Sequence, residues 1–411
     1  MDVNEWLDRY QKSLMNTFGR PQTVLTRGAG CFVWDEDGHQ YLDLLAGIAV
    51  NVLGHGHPNI VKALTMQAQT LGHVSNFFAT PVQIEAAERI LQIIEPGGAP
   101  EGSRVFFTNS GTESLEAAFK LVRARDRSRT RILALENAFH GRSMGALSLT
   151  YKPEFREPFE PLPAQVEFLP YAIAALERAL EGDRGKDVAA VFLEPIQGEA
   201  GVRPLSDEYL RIAREVTAKA GVLLVVDEVQ TGMGRTGFWM AHHPSGIIPD
   251  VVTLAKGLGA GFPVGACVTL NPQLAEVFKP GMHGSTFAGN PLAAACVLAT
   301  IDTIEEEGLL SNADQVSQIM ASEILELNHP QIKEVRGRGL LLGIGLNAPI
   351  AKPLARELFR NGFIVNAPDT YTLRVAPPLI VTAPQTRMFT QALPECLDRA
   401  GQIGDETGGQ R

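Results

Sequence analysis

Apolar positions recur along this chain in two rhythms. Some form short unbroken runs that end in one charged residue. Others return every three to four residues over longer stretches. The first rhythm reads as strands covered on both faces, the second as amphipathic helices. The helical pattern covers 1–20, 59–72, 82–95, 112–126, 172–181, 207–220, 290–308, 312–328, 350–361 and 384–400. The strand pattern covers 104–108, 131–136, 145–149, 188–193, 222–227, 250–255 and 264–269. Residues 24–50 alternate between turn signals at Gly28, Gly30 and Asp35 to Gly38, which predicts a small meander.

Strands that alternate with helices predict an α/β protein with a mostly parallel, doubly wound sheet. Past residue 310 the pattern mixes. Two strands around Gly337 and Gly339 lead into the 350–361 helix, and short strands follow at 363–367 and 371–375. This predicts a second, smaller α+β unit. The last residues, Gly401 to Arg411, are polar and Gly-rich, which predicts disorder.

Composition narrows the function classes. The 411 residues suffice for two or three domains at about 150 residues each. A net charge of −10 speaks against a nucleic-acid partner. The densest basic stretch, Arg123 to Arg131, is interrupted by Asp126 and reads as a solvated helix end. No apolar run approaches the roughly 20 residues that span a bilayer, so no membrane role is predicted. Cys31, Cys267, Cys296 and Cys396 are scattered, with no CxxC pair, which predicts reduced thiols. With an acidic N-terminus lacking an apolar signal region, the expectation is a cytoplasmic protein.

Two strand ends carry the sharpest chemical signal. Val222 to Val226 ends in Asp227, followed by Glu228, Val229 and Gln230. Val251 to Ala255 ends in Lys256, followed by Gly257 to Gly261. A charge at the end of a buried run is costly unless it has a partner. The carboxyl ends of strands are also where open α/β sheets bind ligands. An acid and a lysine placed this way suit pyridoxal phosphate: the lysine joins the aldehyde and the acid holds the ring nitrogen protonated.

Other segments allow both a plain and a functional reading. Thr108 to Glu113 lies between a strand and a helix. Ser110 and Glu113 fit a capping box; Ser110, Gly111 and Thr112 equally fit a phosphate cup at a helix N-terminus. Phe139 or His140 could lie flat on a cofactor ring, with Arg142 facing a substrate carboxylate. Glu194 and Glu199, taken singly, read as surface acids. Gly232 to Gly237 matches GxGxxG, but no helix pattern follows, which argues against a dinucleotide site. His55 and His57 lack metal-ligand spacing, and His242–His243 before a proline reads as a surface turn; no metal is predicted. Asn290–Pro291 reads as a plain helix start, with Ser285 and Thr286 before it as a second phosphate contact. Arg374 alternates with apolar neighbours in a short strand and fits an edge salt bridge or a substrate contact.

Taken together, Tyr41-Leu42-Asp43, Gly54 to Pro58, Val226 to Gly232, Ala255-Lys256-Gly257, Gly284 to Phe287 and Leu373 to Pro378 resemble the class III, fold-type I pyridoxal-phosphate aminotransferases. The likeness spans nearly the whole chain. It implies a large cofactor-binding domain over 61–310, a small α+β domain over 311–400 and an N-terminal segment 1–60 that joins the small domain. It implies a homodimer with active sites at the interface and small amino and keto acids as substrates. Lys256 would bind the cofactor and act as general base; Asp227 would pair with the ring nitrogen. Gln230, with Glu228 and Val229 beside it, would contact the ring hydroxyl. Ser110, Gly111 and Thr112 would hold the phosphate, and Phe139 would stack on the ring. Thr286 would reach the neighbouring subunit's phosphate. Arg142, near Ser285, would take the remote carboxylate of an ω-amino donor. Arg374 would take the carboxylate of glutamate, with Glu199 covering Arg374 when the other substrate binds. Ser114 and Leu115, unusual for the family, would face the packing rather than the phosphate.

Overall fold

The computed structural model describes residues 2–408, and side chains as far as Gln402. Among these, a seven-stranded sheet runs in the spatial order Arg104–Thr108, Gly265–Thr269, Val251–Leu254, Leu223–Asp227, Val188–Leu193, Arg131–Leu135, Gln165–Leu169. Gly265–Thr269 is antiparallel to both its neighbours, and the remaining pairings are parallel. Both faces of this sheet are covered. Along Leu223–Asp227, Leu223 and Val225 pack with Leu115, Ala118 and Val122 of one helix layer. Leu224 and Val226 pack with Leu176 and Leu210 on the opposite face. The period of two along a strand sends alternate residues to opposite sides, so a strand apolar throughout demands two helix layers.

The sequence reading needs three corrections. Residues 145–149 form a helix, Met144–Ser148, not a strand. Its opening N–H groups at Gly145 and Ala146 donate to the Glu116 carboxylate at 2.7 and 3.3 Å. That cap comes from another helix and leaves no local sign. The edge strand Gln165–Leu169 went unpredicted because only its alternate positions are apolar and it follows a Pro-rich turn. The last helix, Ala383–Gly408, continues where a disordered tail was expected from 401. It is anchored by buried Leu393, Leu397 and Ala400, and the glycines beyond cost roughly 1 kcal/mol each against alanine without ending the helix. Residues 409–411 lie outside the described residues.

The meander forms as predicted, as Leu25–Ala29, Phe32–Asp35 and Gln40–Asp43. Its last strand pairs in parallel with Phe363–Ile364, which ties the N-terminal segment to the C-terminal unit. That unit carries an antiparallel sheet in the order Ile332–Arg338, Leu341–Leu346, Thr372–Val375, Asn366–Asp369. One apolar cluster links Leu42, Val252, Ile301, Leu342 and Leu397, so the meander, the large sheet and the small sheet share a core. No described helix is long and apolar enough to cross a membrane.

Candidate active site

Leu223–Asp227 and Val251–Leu254 pair in parallel with Asp227 opposite Thr253. Their carboxyl ends therefore open at the same edge of the sheet, onto a cavity of about 400 Å³ lined by Asp227, Lys256, Gly111, Phe139 and Arg142 among others. A charged residue ending each run is thus brought to one place by register alone. Asp227 is held on both oxygens. Oδ2 lies 2.7 Å from His140 Nδ1, and Oδ1 accepts the Val229 N–H at 3.0 Å and the Thr253 hydroxyl at 3.2 Å.

His140 is buried and its ring meets Phe192 edge-on. It lines the cavity, and its ring nitrogen Nδ1 is engaged by Asp227. Burial resists a charge on the ring, but the hydrogen bond and field of Asp227 outweigh it and raise the His140 pKa. Lys256 is half-buried, and desolvation depresses its amine to about 8; Glu199 pulls upward and Arg374 downward. Its backbone sits at φ +47°, the left-handed region that a side chain disfavours. Such strain survives where the surroundings over-determine a position, as at functional sites.

The cup forms at the start of helix Gly111–Arg125. Ser110 caps it by accepting the Glu113 N–H, while the Glu113 carboxylate accepts from the Asn109 N–H and amide rather than from Ser110. The Thr112 hydroxyl is taken up by the next loop: it accepts the Arg142 and Ser143 N–H groups at 3.1 and 3.0 Å. An anion here would meet the first N–H groups of the helix and the positive end of its dipole. Gly111 has to be glycine, because a Cβ there would come within 2.6 Å of Val229. Ser114 faces inward as expected and bonds the Thr108 hydroxyl and the Leu254 carbonyl.

The substrate end is assembled from distant segments. Arg374 is fully buried and donates through Nη1 to Glu199 at 2.6 Å and to Gln230 at 3.0 Å, and through Nε to Asn366 at 3.0 Å. Its Nη2 is buried and has no partner. Burial would raise the Glu199 pKa, but Arg374 overrides this and lowers it. Arg142 is exposed, with its guanidinium 3.6 Å above the Phe155 ring, and Phe155 meets Phe139 edge-on. The exposed guanidinium of Arg142 thus lines the cavity, while the paired guanidinium of Arg374 stands behind its wall at Gln230.

Some expectations fail. Glu228 does not face the cavity. Its Oε1 accepts the His242 backbone N–H at 3.0 Å and lies 2.8 Å from His242 Nδ1, and Oε2 takes the Thr231 hydroxyl. The alternation of a chain leaving a strand sends it to the side opposite Asp227. His242 is no surface residue: it is fully buried, with Nε2 3.0 Å from Glu95. Burial opposes its charge, yet the two acids raise it to about 9. Glu95, His242 and His243 come together as metal ligands would, but both His242 nitrogens already face carboxylates. Ser285 accepts from Asn109 at 2.9 Å at the edge of the cup. Thr286 is exposed and does not line this chain's cavity.

Glu194 was read as a surface acid and lies buried in the cavity wall. It accepts the Phe139 N–H at 3.0 Å. Burial, then the nearby Asp227, push its pKa to about 8 against the pull of His140. The signal was available: Glu194 ends the apolar run Val188–Leu193 as Asp227 ends its own.

These residues fit pyridoxal phosphate. A half-buried primary amine and a fixed carboxylate in one cavity, with a glycine-lined helix start, match its aldehyde, ring nitrogen and phosphate. The unpartnered Nη2 of Arg374 leaves a donor for a substrate carboxylate. Comparison with known proteins agrees. The sequence profile of the family Aminotransferase class-III matches residues 16–397. The chain is 50% identical over 393 residues to the acetylornithine aminotransferase of Mycobacterium tuberculosis, covering 95% of this chain and 96% of that protein. It is 45% identical to that of Streptomyces coelicolor over the full length of both. Among solved structures it is similar to the ornithine aminotransferase of Toxoplasma gondii (TM-score 0.90, 30% identity, 98% and 96% covered). It is also similar to the acetylornithine aminotransferase of Elizabethkingia anophelis (TM-score 0.84, 34% identity, 96% and 99% covered).

Proposed function

The chain belongs to the class-III aminotransferases, pyridoxal-phosphate enzymes that exchange an amine between amino and keto acids, and within that family we propose that it moves the terminal amine of N-acetylornithine to 2-oxoglutarate. The products are N-acetylglutamate 5-semialdehyde and glutamate. The observation that carries this reading is the Glu199–Arg374 pair at 2.6 Å, taken with the exposed Arg142 that lines the cavity. An ω-amine donor brings no carboxylate next to its reacting nitrogen, and Glu199 then balances Arg374. Glutamate does bring one, and Arg374 is free to take it once Glu199 withdraws. A buried arginine without an acid is costly, so the pair suits an enzyme that must accept both. Arg142 offers a planar fork for the remote carboxylate of the donor.

When bound, pyridoxal phosphate supplies the aldehyde that receives the amine and a ring that accepts electrons from the broken C–H bond. Lys256 would hold the aldehyde, and its amine, drawn down to about 8, would carry the proton from the donor carbon. Asp227, steadied by His140, keeps the ring nitrogen protonated. Ser110, Gly111 and Thr112 anchor the phosphate. Phe139, held by Glu194, supports the ring face. The exposed Thr286 reaches a second copy's phosphate, which makes the working unit a homodimer acting in the cytoplasm.

The test is kcat/KM for N-acetylornithine, ornithine, N-succinylornithine and 4-aminobutyrate with 2-oxoglutarate as acceptor. N-acetylornithine should exceed ornithine and 4-aminobutyrate by about 10²-fold, the scale of a few well-placed contacts. A higher value for any of the other three assigns the enzyme to that substrate instead.

A further inference from the structure

Arg235 heads the largest wholly buried side chains, with 1% of its surface exposed. It lies in the Gly232 to Gly237 segment, which is a run of turns with no dinucleotide task. Its Nη1 donates to the Leu340 carbonyl at 2.9 Å and to the Pro377 carbonyl. Its own carbonyl accepts the Leu340 N–H at 2.9 Å. Nε and Nη2 have no partner. Burial draws the guanidinium down to about 9, with Asp43 pulling weakly the other way. A charge kept at such a cost calls for a use.

The two carbonyls give the use. Leu340 lies in the turn between Ile332–Arg338 and Leu341–Leu346. Pro377 stands just beyond Thr372–Val375, the strand that carries Arg374. Arg235 itself follows the loop that carries Asp227 and Gln230. Contact between the two pieces is close. Gly339 sits at φ +53°, and a Cβ there would lie 2.5 Å from the Thr236 carbonyl carbon and 2.7 Å from the Arg235 oxygen. One side chain therefore fastens the small sheet, on both sides of the buried Arg374, to the loop that faces the cofactor pocket.

We propose that Arg235 is a positioning residue that sets the distance of Arg374 from the Asp227–Gln230 loop, and so tunes the site for the α-carboxylate of glutamate and 2-oxoglutarate. The proposal rests on the reading of Arg374 as the fork for that carboxylate. A donor held by Arg142 does not depend on this distance. The two half-reactions should therefore respond differently.

The experiment uses purified holoenzyme, with each half-reaction followed through cofactor absorbance and melting measured alongside. Arg235→Met removes the donors and also the buried charge, and leaves the Leu340 and Pro377 carbonyls without this donor, so melting is compared with that of Arg235→Lys. Arg235→Met should raise KM for glutamate and 2-oxoglutarate about tenfold while the N-acetylornithine half-reaction stays within about twofold. Arg235→Lys, with a donor of shorter reach, should fall between. Gly339→Ala leaves the guanidinium in place and pushes the turn off the loop; it should shift the same parameter in the same direction. Equal loss in both half-reactions together with a lower Tm would make Arg235 a structural prop and overturn the proposal, as would no change in either. Arg374→Ala, run in parallel, separates the two ideas. An unchanged glutamate KM there removes the reading of Arg374. A raised one, with Arg235→Met unchanged, removes only the positioning role.

Discussion

The cofactor side and the substrate side of the cavity are built over different distances along the chain. Asp227 and Lys256 end neighbouring strands whose register places them together. Glu199 and Arg374 are 175 residues apart and meet only because the small sheet closes against the loop after Val188–Leu193. The Asp227–Lys256 core of the cofactor side is made within one sheet. The Glu199–Arg374 pair joins the loop after one sheet to a strand of another. That difference suits an enzyme with one cofactor and two unlike substrates.

The comparison can be broken at several points. Lys256→Ala should cut turnover by about 10⁴-fold or more, since the general base and the covalent link are both lost. Single-turnover absorbance with N-acetylornithine is the measurement, and a loss below tenfold would show that the cofactor side does not depend on Lys256. Arg374→Ala should lower kcat/KM for glutamate by about 10²-fold, through loss of a charge-assisted fork and through an unpaired Glu199. The N-acetylornithine half-reaction should change far less; equal losses would mean that the two carboxylates share one site.

The last test leaves the chemistry alone and concerns stability at the buried Glu95–His242–Glu228 cluster, on the side opposite Asp227. His242→Gln should cost about 3 kcal/mol of stability near pH 6, the usual result of breaking a buried ion pair. The folded pKa of His242, about 9, stands above its unfolded 6.5. Its contribution is thus fully present below 6.5 and is lost as pH rises through 9. The gap between wild type and variant in urea unfolding should close accordingly. A gap that stays constant from pH 6 to 10 would mean that His242 acts through packing alone.

Legibility followed the same division. Asp227 and Lys256 stood out because each ends an unbroken apolar run, and the cup at Ser110 to Thr112 because a helix start follows a strand. Glu194 obeys the same rule, although taken singly it reads as a surface acid; its burial depends on the Phe139 segment packing over it. Met144–Ser148 was misread because its cap, Glu116, comes from a separate helix. Glu228 was misplaced because a neighbour in sequence of a site residue need not share its direction. His242 was misread because its partners, Glu95 and Glu228, lie in other segments.

The sequence by itself determined the α/β class, the covered sheet, the acid–lysine pair and the cofactor that pair implies. These follow from local periodicity and from the cost of a charge at the end of an apolar run. Only the tertiary structure decided that His140 holds Asp227, that Glu228 turns away to His242, and that Arg235 is sealed between its loop and the small sheet. Those outcomes depend on which buried donors meet which acceptors once distant segments pack. The pairings are set by strand register and by the closing of one sheet on another, and neither is written in the spacing of residues along the chain.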